Sequence, residues 1–399
     1  GNRSRYGERA GCPSCGHRQN IQPDLTLANG DRILVLKCIY QFTEPERWDV
    51  VVFKNPLEPH INYIKRLIGK PGETVEIIDG DIAIDGKIVT KPEKVQQELW
   101  MPVFNNDYQP VNPFLGTFNW HNWRQPFRNV GDSRWVNDKP NDPTRFYLDS
   151  PPDKVNTLYY DDSIGNPLRA TYAYNNINRY QYRPYVSDLR IRFYAEFGRT
   201  QGVIGASLSK YGVTYIASVD ANGRMLIQSD DGTGRQQLAS KQITPPSTGR
   251  TRIFTFENVD RKLTVRFGDQ QLGYQLGREP DALDYRKSDT RPQVRILGAG
   301  KLTLSHISLF RDIHYTSFQR ANGRLALRGG QGNPFTLEED QYFMVGDNSP
   351  NSEDSRRWAK AGIGNNGKQY RPGIVPREYL VGKALFVYWP SGWKPWPQF

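Results

Sequence analysis

Two Asp-Gly steps divide the stretch IIDGDIAIDGKIV, residues 77–89, into three short apolar runs. Asp-Gly between alternating apolar runs is a strong hairpin signal, because both residues adopt the positive φ that a tight hairpin turn needs. Similar runs, rich in β-branched and aromatic residues, recur across 30–96 and again across 336–399, and no helical period competes with them. The sequence therefore predicts one β-domain built from two distant segments.

The segment between these halves, 97–335, has a different character. Residues 97–185 are rich in Trp, Tyr, Asn and Pro with weak periodicity, and predict long ordered loops with short strands. From Val186 onwards, strand runs are spaced as in an antiparallel sandwich, including a hairpin in ENVDRKLTVRFGDQQ with Asp260 near its turn. This part resembles concanavalin-like jelly rolls. The chain is thus expected to be all-β, with a sandwich inserted into a β-domain.

The formal net charge is +11, and most of the excess lies in the Arg-rich middle segment. An Arg-rich surface that keeps the protein soluble accounts for it. No helix-turn-helix pattern accompanies the charge, so a nucleic-acid partner is not expected. No window of 18 apolar residues occurs, so no membrane span is predicted within these residues.

Cysteines occur at positions 12, 15 and 38, and CPSCGH looks like half of a zinc knuckle. Cys12 and Cys15 would supply two of the four ligands that structural zinc takes, and only His17 and Cys38 are near in sequence. Either the other half lies upstream of Gly1, or the motif is a degenerate loop. Residues 1–29 are accordingly interpreted as a Cys-containing linker, with structural zinc as its one cofactor hypothesis.

Lys65 stands in the strand run NYIKRLIG. In a strand, Tyr63, Lys65 and Leu67 point to the same face, so the lysine is in phase with two apolar residues. Burial there would lower the lysine pKa and allow it to act as a general base. The competing interpretation is an ammonium group that reaches water along an apolar stem.

A second polar stretch, VGDNSPNSEDSRRW, adjoins the apolar residues YFM. Together with YIKRLIGKPGE, from Tyr63 to Glu73, its segment Gly346–Arg356 resembles two conserved boxes of the type I signal peptidases, membrane-bound serine proteases that remove leader peptides. RWDVVVFKNP, Arg47 to Pro56, resembles a third box, with Trp48 where the family usually has Gly. Two flanking segments also resemble family strands: Gly30–Lys37 and Gly373–Ala384.

The resemblance implies roles residue by residue. Lys65 matches the general base of a Ser-Lys dyad, and Ser352 matches the serine that orients this lysine. Asp354 and Arg356 match a structural ion pair near the site. The turn that presents the orienting serine would be shaped by Gly346, Asp347 and Asn348. No cofactor is implied for catalysis.

The family's nucleophile box, S-x-M-x-P-T-L before the first strand, has no counterpart here. Ser4 and Ser14 lack the Met and Pro that should follow. We therefore expect the nucleophile and a membrane anchor to lie upstream of Gly1, and this fragment alone to be inactive. The resemblance implies preprotein signal peptides as substrates, cut after small side chains, on the outer face of the cytoplasmic membrane.

One alternative is a catalytically inactive homologue whose inserted sandwich binds carbohydrate or envelope components. Trp120 and Trp123 are the candidate sugar-stacking residues, although both also suit packing within loops. A self-cleaving Ser-Lys regulator is disfavoured, because such proteins pair the dyad with a DNA-binding helical domain.

Overall fold

The computed structural model describes residues 9–20, 32–110, 122–137, 144–170, 183–277, 289–318, 326–364, 367–389 and 394–395. Over these residues the chain forms 27 strands and two short α-helices, so the predicted all-β class is confirmed. Trp120 lies outside the described residues. No helix in the described ranges is long and apolar enough to cross a membrane.

The elements in chain order are β1 (Arg9–Gly11), β2 (Arg18–Asn20), β3 (Arg32–Leu36), α1 (Ile39–Phe42), β4 (Val50–Lys54), β5 (Asn62–Gly69), β6 (Thr74–Ile78), β7 (Asp81–Ile84), β8 (Lys87–Ile88), α2 (Glu93–Leu99), β9 (Met101–Asn105), β10 (Phe127–Asn129), β11 (Phe146–Asp149), β12 (Asn156–Tyr160), β13 (Leu189–Lys210), β14 (Val213–Asp220), β15 (Arg224–Asp230), β16 (Arg235–Gln242), β17 (Arg252–Val259), β18 (Lys262–Phe267), β19 (Gln270–Gln275), β20 (Val294–Arg311), β21 (Phe335–Thr336), β22 (Gln341–Val345), β23 (Gly362–Ile363), β24 (Gln369–Tyr370), β25 (Val375–Pro376), β26 (Leu380–Trp389) and β27 (Lys394–Pro395). Two 3-10 turns span Ser349–Asn351 and Arg377–Tyr379.

The chain divides into two compact units. The sandwich unit comprises the described residues of Gly1–Gln22, Trp100–Asn176 and Arg183–Asp312, and the Lys65 unit comprises those of Pro23–Leu99 and Ile313–Phe399. The Cys12–Cys15 stretch therefore belongs to the sandwich unit, whereas the sequence suggested a separate linker over 1–29.

Two long antiparallel strands, β13 and β20, form the spine of the sandwich unit. The first half of β13 pairs with β17, and its second half pairs with β14. The change of partner occurs at a bulge where Gly202 lies opposite Gly300. Both glycines have positive φ, and a Cβ at Gly202 would lie 2.4 Å from the Ala299 carbonyl oxygen, so this bend requires glycine.

The Asp-Gly steps form the hairpin turns that the sequence predicted. Asp79 (φ 48°) and Gly80 (φ 90°) connect β6 to β7, and Asp85 with Gly86 connects β7 to β8 in the same way. In the sandwich unit, Asp260 also has a positive φ, 46°, at the β17–β18 turn. Two successive positive φ values match the right-handed twist of the flanking strands.

The Lys65 unit joins the two sequence halves through one sheet. Its strand order is β25-β22-β5-β4-β26-β27, with β3 also paired to β26. Strand β22 comes from the second half and lies beside β5 from the first, with Met344 opposite Leu67 and Val345 opposite Arg66. This pairing brings the two motif-bearing segments side by side.

Candidate active site

Lys65 occupies the middle of β5, opposite Val51 of β4. Its neighbours on the same face are Tyr63, which packs against the core of this unit, and Leu67, which is fully buried in it. The Lys65 ammonium group lies 5.5 Å from the centre of the Tyr63 ring. The lysine is half-buried and shares this strand face with two apolar residues.

Burial lowers the pKa of Lys65 from its ordinary value. The carboxylate of Asp354 acts in the opposite direction, while the guanidinium of Arg356 lowers the pKa further. Desolvation is the largest effect, because the charged ammonium loses more hydration than the neutral amine. A lysine with a lowered pKa has a larger neutral fraction near pH 7, which a general base requires.

The side chains of Ser352 and Lys65 both lie beside Gly346. A Cβ added at Gly346 would lie 2.1 Å from Ser352 Oγ and 3.4 Å from Lys65 Cδ, so both side chains border the same small space. Ser352 is buried, and its hydroxyl lies close enough to the Asp354 carboxylate to help hold the pKa of that carboxylate low. No hydrogen bond joins Ser352 Oγ to Lys65 in this structure, and the orienting role stays a prediction.

Asp354 and Arg356 form an ion pair of 2.6 Å in which neither side chain is exposed. The second carboxylate oxygen accepts a further bond of 2.9 Å from Arg356 Nε, and the backbone N–H of Gly346 donates to Asp354 Oδ2 at 2.9 Å. Burial alone would raise the pKa of Asp354, but the guanidinium outweighs it and holds that pKa below its usual value. The charged pair therefore anchors the start of the loop beside Lys65.

The remaining donors of Arg356 are bound by residues that were not among the predicted site residues. Arg356 Nη1 donates to Ser349 Oγ at 2.6 Å and to the Thr316 carbonyl at 3.1 Å. Ser355 Oγ accepts a bond from the Met344 N–H, which attaches the loop to β22. Ser349 and Ser355 lie within the polar stretch that resembles the family box, so the sequence could have indicated them. Thr316 lies in no such motif.

A second ion pair fixes the beginning of the same loop. Asp347 accepts two hydrogen bonds from Arg66, at 3.0 Å from Nε and 2.9 Å from Nη2, and one from the Tyr315 hydroxyl. Arg66 directly follows Lys65, so this pair holds the β5 backbone against the loop. Asn348 precedes the 3-10 turn Ser349–Asn351 and shapes the path towards Ser352.

Trp48, which replaces the glycine usual in the resembled box, has φ +78°. This region is costly for a bulky residue, so the backbone conformation explains why glycine suits the position. The indole is 5% exposed, and its burial compensates for the strain.

One edge of β5 remains open beside Lys65. On one side, β4 pairs with Asn62 to Arg66, while on the other side β22 pairs only with Arg66, Leu67 and Gly69. Among the described strands, none pairs with 62–65 on that second side. An extended peptide could therefore add to β5 next to the lysine.

The family model described as signal peptidase, peptidase S26, matches this chain in two segments, residues 17–112 and 287–389. The two segments contain both motif-bearing strands and the loop between Gly346 and Arg356. The chain belongs to the signal peptidase family. Most of the sandwich lies between the two matched segments, so the family domain is interrupted in this member.

Curated relatives agree with this assignment. Signal peptidase I T of Bacillus subtilis is 39% identical over 97 residues, which cover 23% of this chain and 50% of that protein. Signal peptidase I of Leptolyngbya laminosa is 43% identical over 101 residues, covering 20% of this chain and 49% of that protein. This family member spans about half the length of these curated relatives.

Among solved structures, this signal peptidase family member is similar to a carbohydrate binding module, CBM66, from Bacillus subtilis. The TM-score is 0.30 at 9% identity, covering 47% of this chain and 96% of that chain. It is also similar to galectin LEC-6 of Caenorhabditis elegans, with a TM-score of 0.24 at 10% identity, covering 32% and 86%.

The predicted metal ligands of this family member, Cys12 and Cys15, lie in a knuckle between β1 and β2 of the sandwich unit. The Gly16 N–H donates to the Cys12 carbonyl at 2.9 Å, and a hydrogen bond between the two thiols lowers the pKa of Cys12 and raises that of Cys15. The Asn166 amide donates to the Cys12 and Pro13 carbonyls at 3.0 and 3.1 Å. These contacts fix the knuckle on the sandwich.

Proposed function

We propose that this chain carries the general base of a leader peptidase, with Lys65 as the base and Ser352 as the residue that positions it. One observation carries the proposal: a half-buried lysine of lowered pKa borders the buried Ser352 hydroxyl across Gly346. None of the 399 residues matches the nucleophile box. The proposal therefore takes the nucleophilic serine from outside this sequence, and this chain alone is expected to be inactive.

In the proposed reaction, neutral Lys65 accepts the proton of the serine hydroxyl as its oxygen attacks the scissile carbonyl carbon. The resulting ammonium then gives that proton to the leaving amine as the peptide C–N bond breaks. A water molecule next loses a proton to Lys65 and hydrolyses the acyl-enzyme. An N–H of the neutral Lys65 amine would donate to Ser352 Oγ, which would hold the single lone pair of the amine towards the nucleophile.

The substrate in this proposal is the signal peptide of a preprotein, bound in extended form along the open edge of β5. Backbone hydrogen bonds to residues 62–65 would place the scissile bond beside Lys65. Specificity for small side chains at positions −1 and −3 matches the A-x-A pattern of leader peptides. We propose that the protein acts on the outer face of the cytoplasmic membrane, held by an anchor outside this sequence.

The first test measures the Lys65 pKa in this chain by NMR titration of ¹³Cε-labelled lysines. Lys65→Arg identifies the resonance. We expect the pKa of Lys65 to lie below 10.5, the ordinary value for lysine, because of its burial. A pKa of Lys65 at or above that value would overturn the general-base assignment.

The second test measures preprotein cleavage by the longer protein that contains a nucleophilic serine. Lys65→Ala should lower kcat/KM by about 10²–10⁴-fold, the range for loss of a general base. Lys360→Ala should leave the rate unchanged. Ser352→Ala should lower kcat at neutral pH and shift the acidic limb of the pH profile, on which Lys65 loses its proton, whereas a purely structural role would leave that limb in place.

We propose separately that the Cys12–Cys15 knuckle contributes two thiolates to a structural zinc site, with remaining ligands from His17 or from outside the described residues. Titration with Co²⁺ tests it, because thiolate coordination produces intense charge-transfer absorption. Loss of this absorption in Cys12→Ser, but not in Cys38→Ser, is the expected result. If Co²⁺ produces no such absorption with this chain, the proposal that the knuckle binds metal within these residues is wrong.

The alternative function, an inactive homologue whose sandwich binds carbohydrate or envelope components, is a separate hypothesis. Its sequence candidate Trp123 is half-buried beside short strands, which gives it no special support as a sugar platform. The sandwich unit also contains a groove that Trp123 does not line. The role proposed for this groove is independent of the role proposed for Lys65.

A further inference from the structure

The inner face of the sandwich changes character towards one end of its strands. On β15, Met225 and Ile227 are fully buried in the core. The next residues in the same alternation are Ser229 and then Asp231, just beyond the strand. An inner face that served only core packing would continue with apolar side chains. At this end of the strands the inner face carries polar side chains instead.

Strand β14, which pairs with β15, and strand β19 show the same change. On β14, Val219 and Ala217 are fully buried, and the next inner-face residue is Tyr215. On β19, Leu272 is followed by Tyr274 on the same face. Both tyrosines pack against the core and are only partly buried. Both residues also line the groove described next.

These residues line a groove of about 400 Å³ beside strands β14, β15, β16 and β19, bordered by Tyr215, Tyr274, Ser229, Asp231, Arg235 and Gln236. Every lining residue belongs to the sandwich unit. The volume lies within the range of small-ligand sites in proteins, roughly 300–1,000 Å³. The groove joins an apolar floor to a polar rim, an arrangement that fixes the orientation of a ligand.

The rim is held in place by its own hydrogen bonds. Asp231 Oδ1 accepts from the Thr233 hydroxyl at 2.6 Å and from its N–H at 3.0 Å, and Asp230 accepts from the Gly232 N–H at 3.0 Å. Arg235 lies 3.7 Å from Asp230. The Asp231 carboxylate is thereby held in one orientation at the groove, which reduces the entropy lost on binding.

The chemistry of the lining selects one ligand class. Among the described lining residues, the Asp231 carboxylate, the Arg235 guanidinium and the Gln236 amide supply both donors and acceptors, with one charge of each sign. A neutral ligand rich in hydroxyl groups can use such a mixture, while its C–H faces pack against the tyrosine rings. A strongly charged ligand would leave one rim charge opposed by a like charge.

We propose that this groove binds a neutral oligosaccharide, with Tyr215 and Tyr274 as stacking surfaces and Asp231, Arg235 and Gln236 as hydrogen-bonding partners. The site goes beyond the leader-peptidase function, and it does not depend on that function being correct. The sandwich would then bring the protein to a polysaccharide.

The test measures binding of four neutral sugars to the whole chain by NMR and isothermal titration calorimetry. The sugars are maltotetraose, cellotetraose, mannotetraose and chitotetraose. We expect at least one to bind with a Kd of about 1 mM or tighter. Tyr274→Ala should weaken binding at least tenfold. Tyr108→Ala is the matched control, because Tyr108 is 62% exposed on the same unit and is not among the residues that line the groove.

A second variant distinguishes loss of sugar binding from misfolding. Gln236→Ala changes an exposed rim residue that does not support the core, and it should weaken binding several-fold with an unchanged melting temperature. If none of the four neutral sugars binds, or if binding survives both groove variants, the proposal is wrong. Binding of only acidic oligosaccharides or peptides to the groove would also overturn it. Lys65→Ala should leave sugar binding unchanged.

Discussion

The guanidinium of Arg356 and the carboxylate of Asp354 are joined by two hydrogen bonds, 2.6 and 2.9 Å long, where neither side chain reaches solvent. Because the pair is buried, removal of one partner leaves an uncompensated charge. Arg356→Met should therefore destabilise the protein by about 3–5 kcal/mol. The measurement is the urea midpoint of unfolding, converted with the slope of the transition.

An exposed ion pair in the same chain provides the control. Arg199 and Asp149 lie 3.3 Å apart with both side chains 58% exposed. Arg199→Met should change stability by no more than about 1 kcal/mol, because water screens the pair. Equal losses in the two variants would contradict the structural role given to burial. Adding Asp354→Leu to Arg356→Met should restore part of the stability.

The lowered pKa of Lys65 predicts a pH-dependent stability difference. The folded chain binds fewer protons than the unfolded chain between the lowered pKa and the ordinary value of 10.5, so stability rises with pH across that window. Lys65→Met removes this penalty. The variant should melt at a higher temperature than the parent at pH 7, and the difference should shrink as the pH approaches 10.

Lys360→Met is the control for this comparison, since Lys360 is exposed. Its effect on the melting temperature should be small at every pH between 7 and 10. A stabilisation by Lys65→Met that did not vary with pH would show that packing, rather than the charge, causes the difference.

Gly346 should not tolerate even alanine. The added Cβ would lie 2.1 Å from Ser352 Oγ and 2.7 Å from Ser352 Cβ, and Ser352 is buried and cannot easily move. Gly346→Ala should cost about 1–3 kcal/mol, the usual range for overpacking. The same substitution at Gly11, where the Cβ meets nothing within 4 Å, should be nearly neutral.

A double-mutant cycle isolates the contact between these two residues. In a Ser352→Gly background the clashing atoms are absent, so the cost of Gly346→Ala should fall by about 1 kcal/mol or more. Additive effects in the urea midpoints would mean that the backbone of Gly346, and not its closeness to Ser352, is responsible.

The backbone of Trp48 predicts an unusual order of substitutions. At φ +78°, glycine avoids a steric penalty that alanine still carries, so Trp48→Gly should be more stable than Trp48→Ala by about 1 kcal/mol. At Trp135, which is 4% exposed and not among the residues with positive φ, alanine should be the better replacement. Thermal melts of the four variants provide the check, and the same order at both sites would contradict it.

Local features of the sequence predicted local structure well. The Asp-Gly steps form turns with positive φ, since backbone sterics between neighbouring residues decide turn type. The alternation around Lys65 placed it on one face with Tyr63 and Leu67, but left open whether its ammonium group is buried or reaches water. The sequence reading did not identify Arg66 as the partner of Asp347, because these residues are 281 positions apart and no periodicity connects them. Thr316, which contacts Arg356, stands in no motif at all.

The sequence by itself determined the strands, the hairpin turns and the family of this chain, because each depends on residue types at short, regular spacing. Only the tertiary structure decided that β22 lies beside β5, that Gly346 separates Lys65 from Ser352, and that Asp354 is fully buried. The lowered pKa of Lys65 belongs to this second group. A pKa depends on hydration and on charges within a few ångströms, and those neighbours come from segments that only folding brings together.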